Sequence, residues 1–286
     1  MNEPVPAPQP NSMGRTGVAR RWTYAVLLFA VLLVLMPFLF WQSTWFGRPL
    51  DDRQMAEYLA AADKPRKIQH ALAQIGERII GGDASVRRWY PEVVRLAEHP
   101  LAEIRITAAW VMGQQAGVPE FHARLLDLLE DSNPMVRRNA ALALVRHGDD
   151  SGHGELRAML QPYAVTAPSA GTLQQRLRPG DTVNPGTLLA RLQQGGEVLE
   201  VRSPVPGTVK RWVAGNLQPV ATGDALVEIS PSPEMVWEAL RALVLVGQPE
   251  DLDLISRYAD GAAEMPERVA LQAAETLRAI RARQRE

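Results

Sequence analysis

The chain has 286 residues, enough for one or two domains of ordinary size, and its charges nearly cancel, with 31 Lys and Arg against 32 Asp and Glu. That balance gives no general attraction to nucleic acid. The absence of cysteine excludes structural disulfides, thiolate catalysis, Cys-ligated zinc, iron–sulfur clusters and covalently attached c-type haem, and the five histidines (His70, His99, His122, His147, His153) form no HxH or HExxH pattern.

Residues 1–21 begin with a stretch rich in Pro, Asn and Gln that cannot bury enough apolar surface to order itself, so a short disordered tail is expected. Arg15, Arg20 and Arg21 follow, and then Tyr24 to Trp41 runs without a charge. Eighteen helical residues would span about 27 Å, close to the hydrocarbon thickness of a bilayer, so residues 22–45 are predicted to be one transmembrane helix. Trp22 at one end, with Trp41 and Trp45 at the other, fits interfacial aromatic belts. The three preceding arginines place the N-terminus in the cytoplasm by the positive-inside rule. The expected location is therefore the inner membrane, with the bulk of the chain periplasmic. The apolar run is longer than a signal-peptide core and ends in bulky aromatics instead of a cleavage site, which argues for a retained anchor.

From Asp51 the pattern changes to paired amphipathic helices, and one of them recurs in nearly the same letters. IRITAAWVMG starts at Ile104, VRRNAALALV at Val136 and VALQAAETLR at Val269; IQHALAQIGE at Ile68 and VWEALRALVL at Val236 are looser copies. The small pairs Ala108-Ala109, Ala140-Ala141 and Ala273-Ala274 let neighbouring helices approach closely, and a leading proline marks each first turn at Pro100, Pro134, Pro233 and Pro266. Partner helices are expected near residues 91–98, 121–130 and 252–258. Helix pairs repeating at this length indicate an α-solenoid. The motif DSNPMVRRNAALAL, from Asp131 to Leu144, resembles the short type of HEAT repeat. That resemblance implies fold and carries no chemistry.

Residues 163–230 read differently. VTAPSAGTLQQRLRPGDTVNPGTLLARL is followed by VRSPVPGTVKRWVAGNLQPVATGDALVEI, so that Ala167-Pro168 answers Ser203-Pro204 and Gly171-Thr172 answers Gly207-Thr208, at an offset of 36 residues (167 to 203). Alternating apolar positions broken by turn formers such as Pro179-Gly180-Asp181 predict several short strands packed as two facing sheets. The pattern APxxGxx, GDxVxxGxLLxxL, a tip, SPxxGxV and GDxLVxI resembles a biotinyl/lipoyl domain. This is the barrel-sandwich hybrid also found in membrane fusion proteins of bacterial export systems. In modified carriers of that family the tip presents a lysine, whereas this tip, Gln193 to Glu200, reads QQGGEVLE and has none. No prosthetic group or other cofactor is therefore expected.

Spacing joins the two patterns. Val136 and Val236 lie 100 residues apart, and removing the 67 residues 163–229 leaves 33, the repeat length found elsewhere in the chain. The expected fold is thus multidomain: a transmembrane helix, an α-solenoid of HEAT-like helix pairs over residues 51–162 and 231–286, and an inserted all-β barrel-sandwich hybrid over 163–230. Insertion into a loop costs little when a domain's termini lie close together.

No residue set assembles an active site. The loop HGDDSGH, from His147 to His153, could offer imidazole and carboxylate ligands, but Asp and Gly are also ordinary helix-ending residues, and no metal site is assigned. Arg105 and the pair Arg137-Arg138 are expected to tie neighbouring helices together. Candidate partner-binding residues are Gln193, Glu197 and Glu200 on the tip, with Lys210, Arg211 and Trp212 on a strand, Trp212 being the aromatic expected to face a partner. The expected function is a non-enzymatic, membrane-anchored scaffold or accessory subunit, binding a protein partner in the same membrane such as a respiratory or transport complex. Alternatives are a periplasmic adaptor resembling membrane fusion proteins and a prosthetic-group carrier, in which Lys210 would bear the group.

Overall fold

A computed structural model describes residues 16–43, 49–261 and 265–285. The chain divides into two compact units, residues 1–52 and 53–286.

The described residues of the first unit include the helix α1 (Thr16–Ser43), with Pro37 inside it. The expected disordered tail lies outside the described residues up to position 15, and residues 16–21 are helical. The expectation of a membrane-crossing helix over residues 22–45 is corrected: among the described residues no helix is long and apolar enough to cross a membrane. Residues 44 and 45 lie outside the described residues. The described residues accordingly form paired helices with a β-sheet region.

In the second unit the helices come in pairs: α2 (Asp52–Leu59) with α3 (Pro65–Ile80), α4 (Tyr90–Leu96) with α5 (Ala102–Met112), and α6 (Pro119–Leu128) with α7 (Pro134–Arg146). After the short α8 (His153–Ala158) come eight strands, and then α9 (Pro233–Val246), α10 (Leu252–Ala259) and α11 (Glu267–Arg283). Proline opens α3, α6, α7 and α9, where its missing N–H costs nothing. The Asn133 side chain accepts from the Met135 N–H at 2.8 Å to cap α7, and Ser232 does the same for α9 through Met235 N–H.

The small residues of the repeat account for the close stacking. Ala108, Ala109, Ala140, Ala141 and Ala273 are fully buried. A Cβ at Gly113, the C-cap of α5, would lie 2.7 Å from the Ala143 Cβ on α7, so only glycine permits that approach. Leu156 of α8, Leu240 of α9, Ile255 of α10 and Leu277 of α11 share one core with Ala141 and Val145 of α7. Helices before and after the strands are therefore packed as one array.

The strands are β1 (Tyr163–Thr166), β2 (Gly171–Gln175), β3 (Thr182–Val183), β4 (Leu188–Gln194), β5 (Glu197–Arg202), β6 (Gly207–Trp212), β7 (Pro219–Val220) and β8 (Ala225–Pro231). They form two antiparallel four-stranded sheets, ordered β1-β8-β6-β3 and β5-β4-β2-β7. Each sheet takes strands from both halves of the duplicated sequence. Alternate residues, among them Leu173, Leu189, Leu192, Val209, Leu226 and Ile229, point into one shared core. Met135 of α7 packs against both this core and the helical one.

Candidate functional site

The tip is the hairpin between β4 and β5. Gly195 and Gly196 have φ of +57° and +93°, the left-handed pair that a two-residue hairpin turn requires. They set Gln194 opposite Glu197, Gln193 opposite Val198, Leu192 opposite Leu199 and Arg191 opposite Glu200. Leu192 is buried, but Leu199 beside it is 44% exposed and Val198 on the other face is 54% exposed, because β5 is the edge of its sheet. Gln193 accepts at 2.9 Å from the Gln174 side-chain amide on β2. Glu197 is exposed at the start of β5. Glu200 lies between Arg202 and Arg191, and the Arg202 hydrogen bond first, then its charge, holds the Glu200 carboxyl below the usual range. Arg202 also donates to the Gly186 carbonyl at 2.6 Å, fixing the base of the hairpin.

Lys210, Arg211 and Trp212 lie on β6, in the other sheet. A register irregularity between Val209 and Arg211 brings both cations to one acid of β8: Lys210 Nζ is 3.4 Å from Glu228, and Arg211 Nε donates to it at 2.9 Å. The Arg211 hydrogen bond is the largest cause of the depressed Glu228 pKa, with Lys210 adding to it. Trp212 is not the outward-facing aromatic that the sequence suggests. It is half-buried against the β core, and its indole N–H donates to the Leu177 carbonyl at 3.0 Å. A ring that supplies apolar area and has one polar N–H is best satisfied in this way at a sheet margin. The six candidates thus form two clusters on separate sheets.

Sequence reasoning missed the loop that follows Trp212. Val213 and Leu217 are both exposed, Leu217 to 66% and in the left-handed region at φ +60°. That conformation is costly for leucine, and it is held by Leu217 N–H on the Leu173 carbonyl at 2.7 Å and by Asn216, whose side chain accepts from Gln175 N–H at 3.0 Å. The Ala214-Gly215-Asn216 turn signal marks the loop but cannot indicate which way the leucine points.

In the helical array the charged residues act as ties between repeats. Arg105 grips Asp131 with Nε and Nη2 at 2.6 and 2.8 Å and gives Nη1 to the His99 carbonyl. One repeat later Arg137 bonds Glu155 at 2.6 Å and the Asp131 carbonyl at 2.8 Å. The residues of the HGDDSGH loop diverge: His147 Nε2 bonds the Met112 carbonyl, Asp149 pairs with His122 and accepts from Ser151 N–H, and His153 reaches Asp251. Arrangements of this kind hold helices in place and present surfaces. Arg138 departs from them, being buried with a thioether as its acceptor.

Residues 90–167 match the family of HEAT repeats. No curated protein matches the chain. Among solved structures, a single-chain, multi-domain long-chain acyl-CoA carboxylase is similar at 18% identity and a TM-score of 0.24, over 44% of this chain and 14% of that one, so the chain spans a small part of its length.

Proposed function

We propose that the protein is a non-enzymatic scaffold or accessory subunit that binds a protein partner through the β-strand unit. The observation that carries this reading is the exposed edge of the β4–β5 hairpin, where Val198 and Leu199 stand in solvent on a turn and base fixed by Gly195, Gly196 and Arg202. A rigid, partly apolar protrusion loses little entropy on binding. The HEAT array supports the same reading, since stacked helix pairs offer extended surfaces to other proteins.

We further read the β unit as a relative of biotinyl/lipoyl domains, on its duplicated sequence and on the way strands of both halves are shared between the sheets. In this reading it is an unmodified member, since Gly195 and Gly196 occupy the tip where carriers present lysine, and Lys210 is on β6 beside Glu228. Intact mass of the native protein checks that part: an added prosthetic group would refute it.

The scaffold reading is tested by quantitative crosslinking and affinity capture with the wild type and with Val198→Ser/Leu199→Ser. One or more proteins should be recovered by the wild type and depleted at least tenfold with the variant, while its circular dichroism and melting temperature are unchanged. Equal recovery by both would remove the hairpin as the binding element.

A further inference from the structure

We propose that Arg138 is a receptor for a carboxylate, at the place where the chain leaves the helical array for the β-strands and returns to it. Arg138 is on α7 and only 3% exposed. Its guanidinium lies 5.6 Å from the ring of Tyr163, the first residue of β1, and its Nη1 donates to the thioether sulfur of Met235, in the first turn of α9, at 3.3 Å. Its Nε is buried with no acceptor among the described residues. A buried cation without a counter-charge is among the most expensive groups a fold can hold, and a sulfur is a weak acceptor for it.

The repeat does not demand this arginine. In the two closest copies of the helix the equivalent positions are Ile106 and Leu271. The ties between repeats are made by Arg105 and Arg137. Glu155, the acid whose charge Arg138 feels, is committed to Arg137 at 2.6 Å. Elsewhere this chain shows how such a group is satisfied. Arg105 on Asp131 and Arg211 on Glu228 each use Nε and Nη2 to hold both oxygens of one carboxylate. Arg138 keeps the Nε side of the same fork without an acceptor, and a single monoanionic carboxylate matches both its geometry and its charge. The carboxylate can come from a small free acid or from an Asp or Glu side chain of a bound protein. Binding by a free acid does not depend on the scaffold reading.

The test is thermal unfolding of the full chain at pH 7 in a concentration series of acetate, against chloride at the same ionic strength, and in parallel with a capped glutamyl peptide. Wild type should show a rise of about 3 to 5 °C at roughly ten times the dissociation constant, growing with the logarithm of concentration above it, and Arg138→Met should show none. A larger response to the glutamyl peptide than to acetate assigns the site to a protein side chain, and an equal or smaller one assigns it to a small free acid. No rise in wild type, or the same rise in Arg138→Met, would overturn the proposal. Should Arg138→Met fail to fold, the Arg138 Nε–H resonance, assigned by its loss in Arg138→Gln, gives the same answer. It should move on addition of acetate and not on addition of chloride, and a resonance that stays fixed counts against the site.

Discussion

His153 and Asp251 are 98 residues apart in sequence, yet His153 Nε2 lies 2.7 Å from Asp251 Oδ2. Asp251 is completely buried, its Oδ2 also accepts from Gln248 N–H at 2.8 Å, and Arg157 approaches its other oxygen at 3.7 Å. The contact joins α8, the last helix before the strands, to the turn that opens α10. Tyr258 repeats the connection by donating its hydroxyl to the Leu160 carbonyl at 2.6 Å, and burial pushes that phenol up to about 12. Removing the imidazole leaves a buried carboxylate short of a donor, so His153→Ala should cost about 1.5 to 3 kcal/mol. In a His153→Ala/Asp251→Asn double-mutant cycle by urea unfolding, a coupling energy near zero would show that the pair does not hold the array together.

Acid should weaken the fold through the ties between repeats. Burial pushes Asp131 up, but hydrogen bonds from Arg105 and the Asn133 N–H outweigh it and leave the carboxyl below its ordinary value. Asp149 is lowered first by the Ser151 hydroxyl and N–H and then by His122, and Asp83 is lowered to about 2 by Ser85 and Arg78. A carboxyl whose folded pKa lies below its unfolded value binds fewer protons when folded. Its stabilisation is full above the unfolded value near 4 and is lost as pH falls through the folded value. Urea midpoints should therefore hold steady down to about pH 5 and decline between there and about pH 2. Asp131→Asn should flatten part of that decline and cost about 1 to 2 kcal/mol at neutral pH, since Asp131 is nearly buried beside Arg105.

The HEAT repeats were legible because their signals are local. A leading proline (Pro100, Pro134), an arginine (Arg105, Arg137) and an alanine pair (Ala108-Ala109, Ala140-Ala141) recur in the same order, and each has one structural job: helix start, a tie to the next repeat and close approach. The strand region was legible for the same reason, since turn formers such as Gly180 and Gly223 repeat between alternating apolar positions. The membrane-crossing reading of residues 22–45 rested on the length of the apolar run and on the arginines and tryptophans flanking it, and the described residues contain no helix long and apolar enough to cross. Side-chain direction at margins was not legible. Trp212 points to the Leu177 carbonyl, and Leu217 points outward because its backbone is left-handed; both depend on residues more than 30 positions away. Arg138 was hidden by its neighbour, because Arg137 performs the role that the repeat assigns to arginine.

The tip depends on its two glycines. At φ of +57° and +93° a side chain meets its own backbone, so Gly195→Ala/Gly196→Ala should destabilise the hairpin by about 1 to 2 kcal/mol. The core beneath, built on Leu192 and Val201, should keep the rest of the sheet in place. Hydrogen exchange is the informative measurement. Faster exchange should appear across residues 191–202 while β2 and β8 keep wild-type rates, and uniform loss of protection in both sheets would mean that the turn nucleates the whole unit.

Gly113 tests the helical array from the other direction. Its place at the C-cap of α5 is set against Ala143 of α7, where an added Cβ would lie 2.7 Å from the Ala143 Cβ and 3.0 Å from its Cα. Backbone cannot yield there as a flexible side chain would, so Gly113→Val must push the two helices apart. Overpacking of that kind costs about 1 to 3 kcal/mol. The strain should be transmitted, because Trp110, one turn earlier, is packed over Gly76 of α3 in the preceding repeat. Melting of Gly113→Val should therefore fall by about 2 to 4 °C per kcal/mol lost, with a change in tryptophan emission reporting the shift of Trp110. The second substitution Ala143→Gly opens the space that the valine needs and should restore most of the loss. If Ala143→Gly makes Gly113→Val worse by the ordinary cost of a helical glycine and nothing more, then the close approach of α5 and α7 is not what holds these repeats in register.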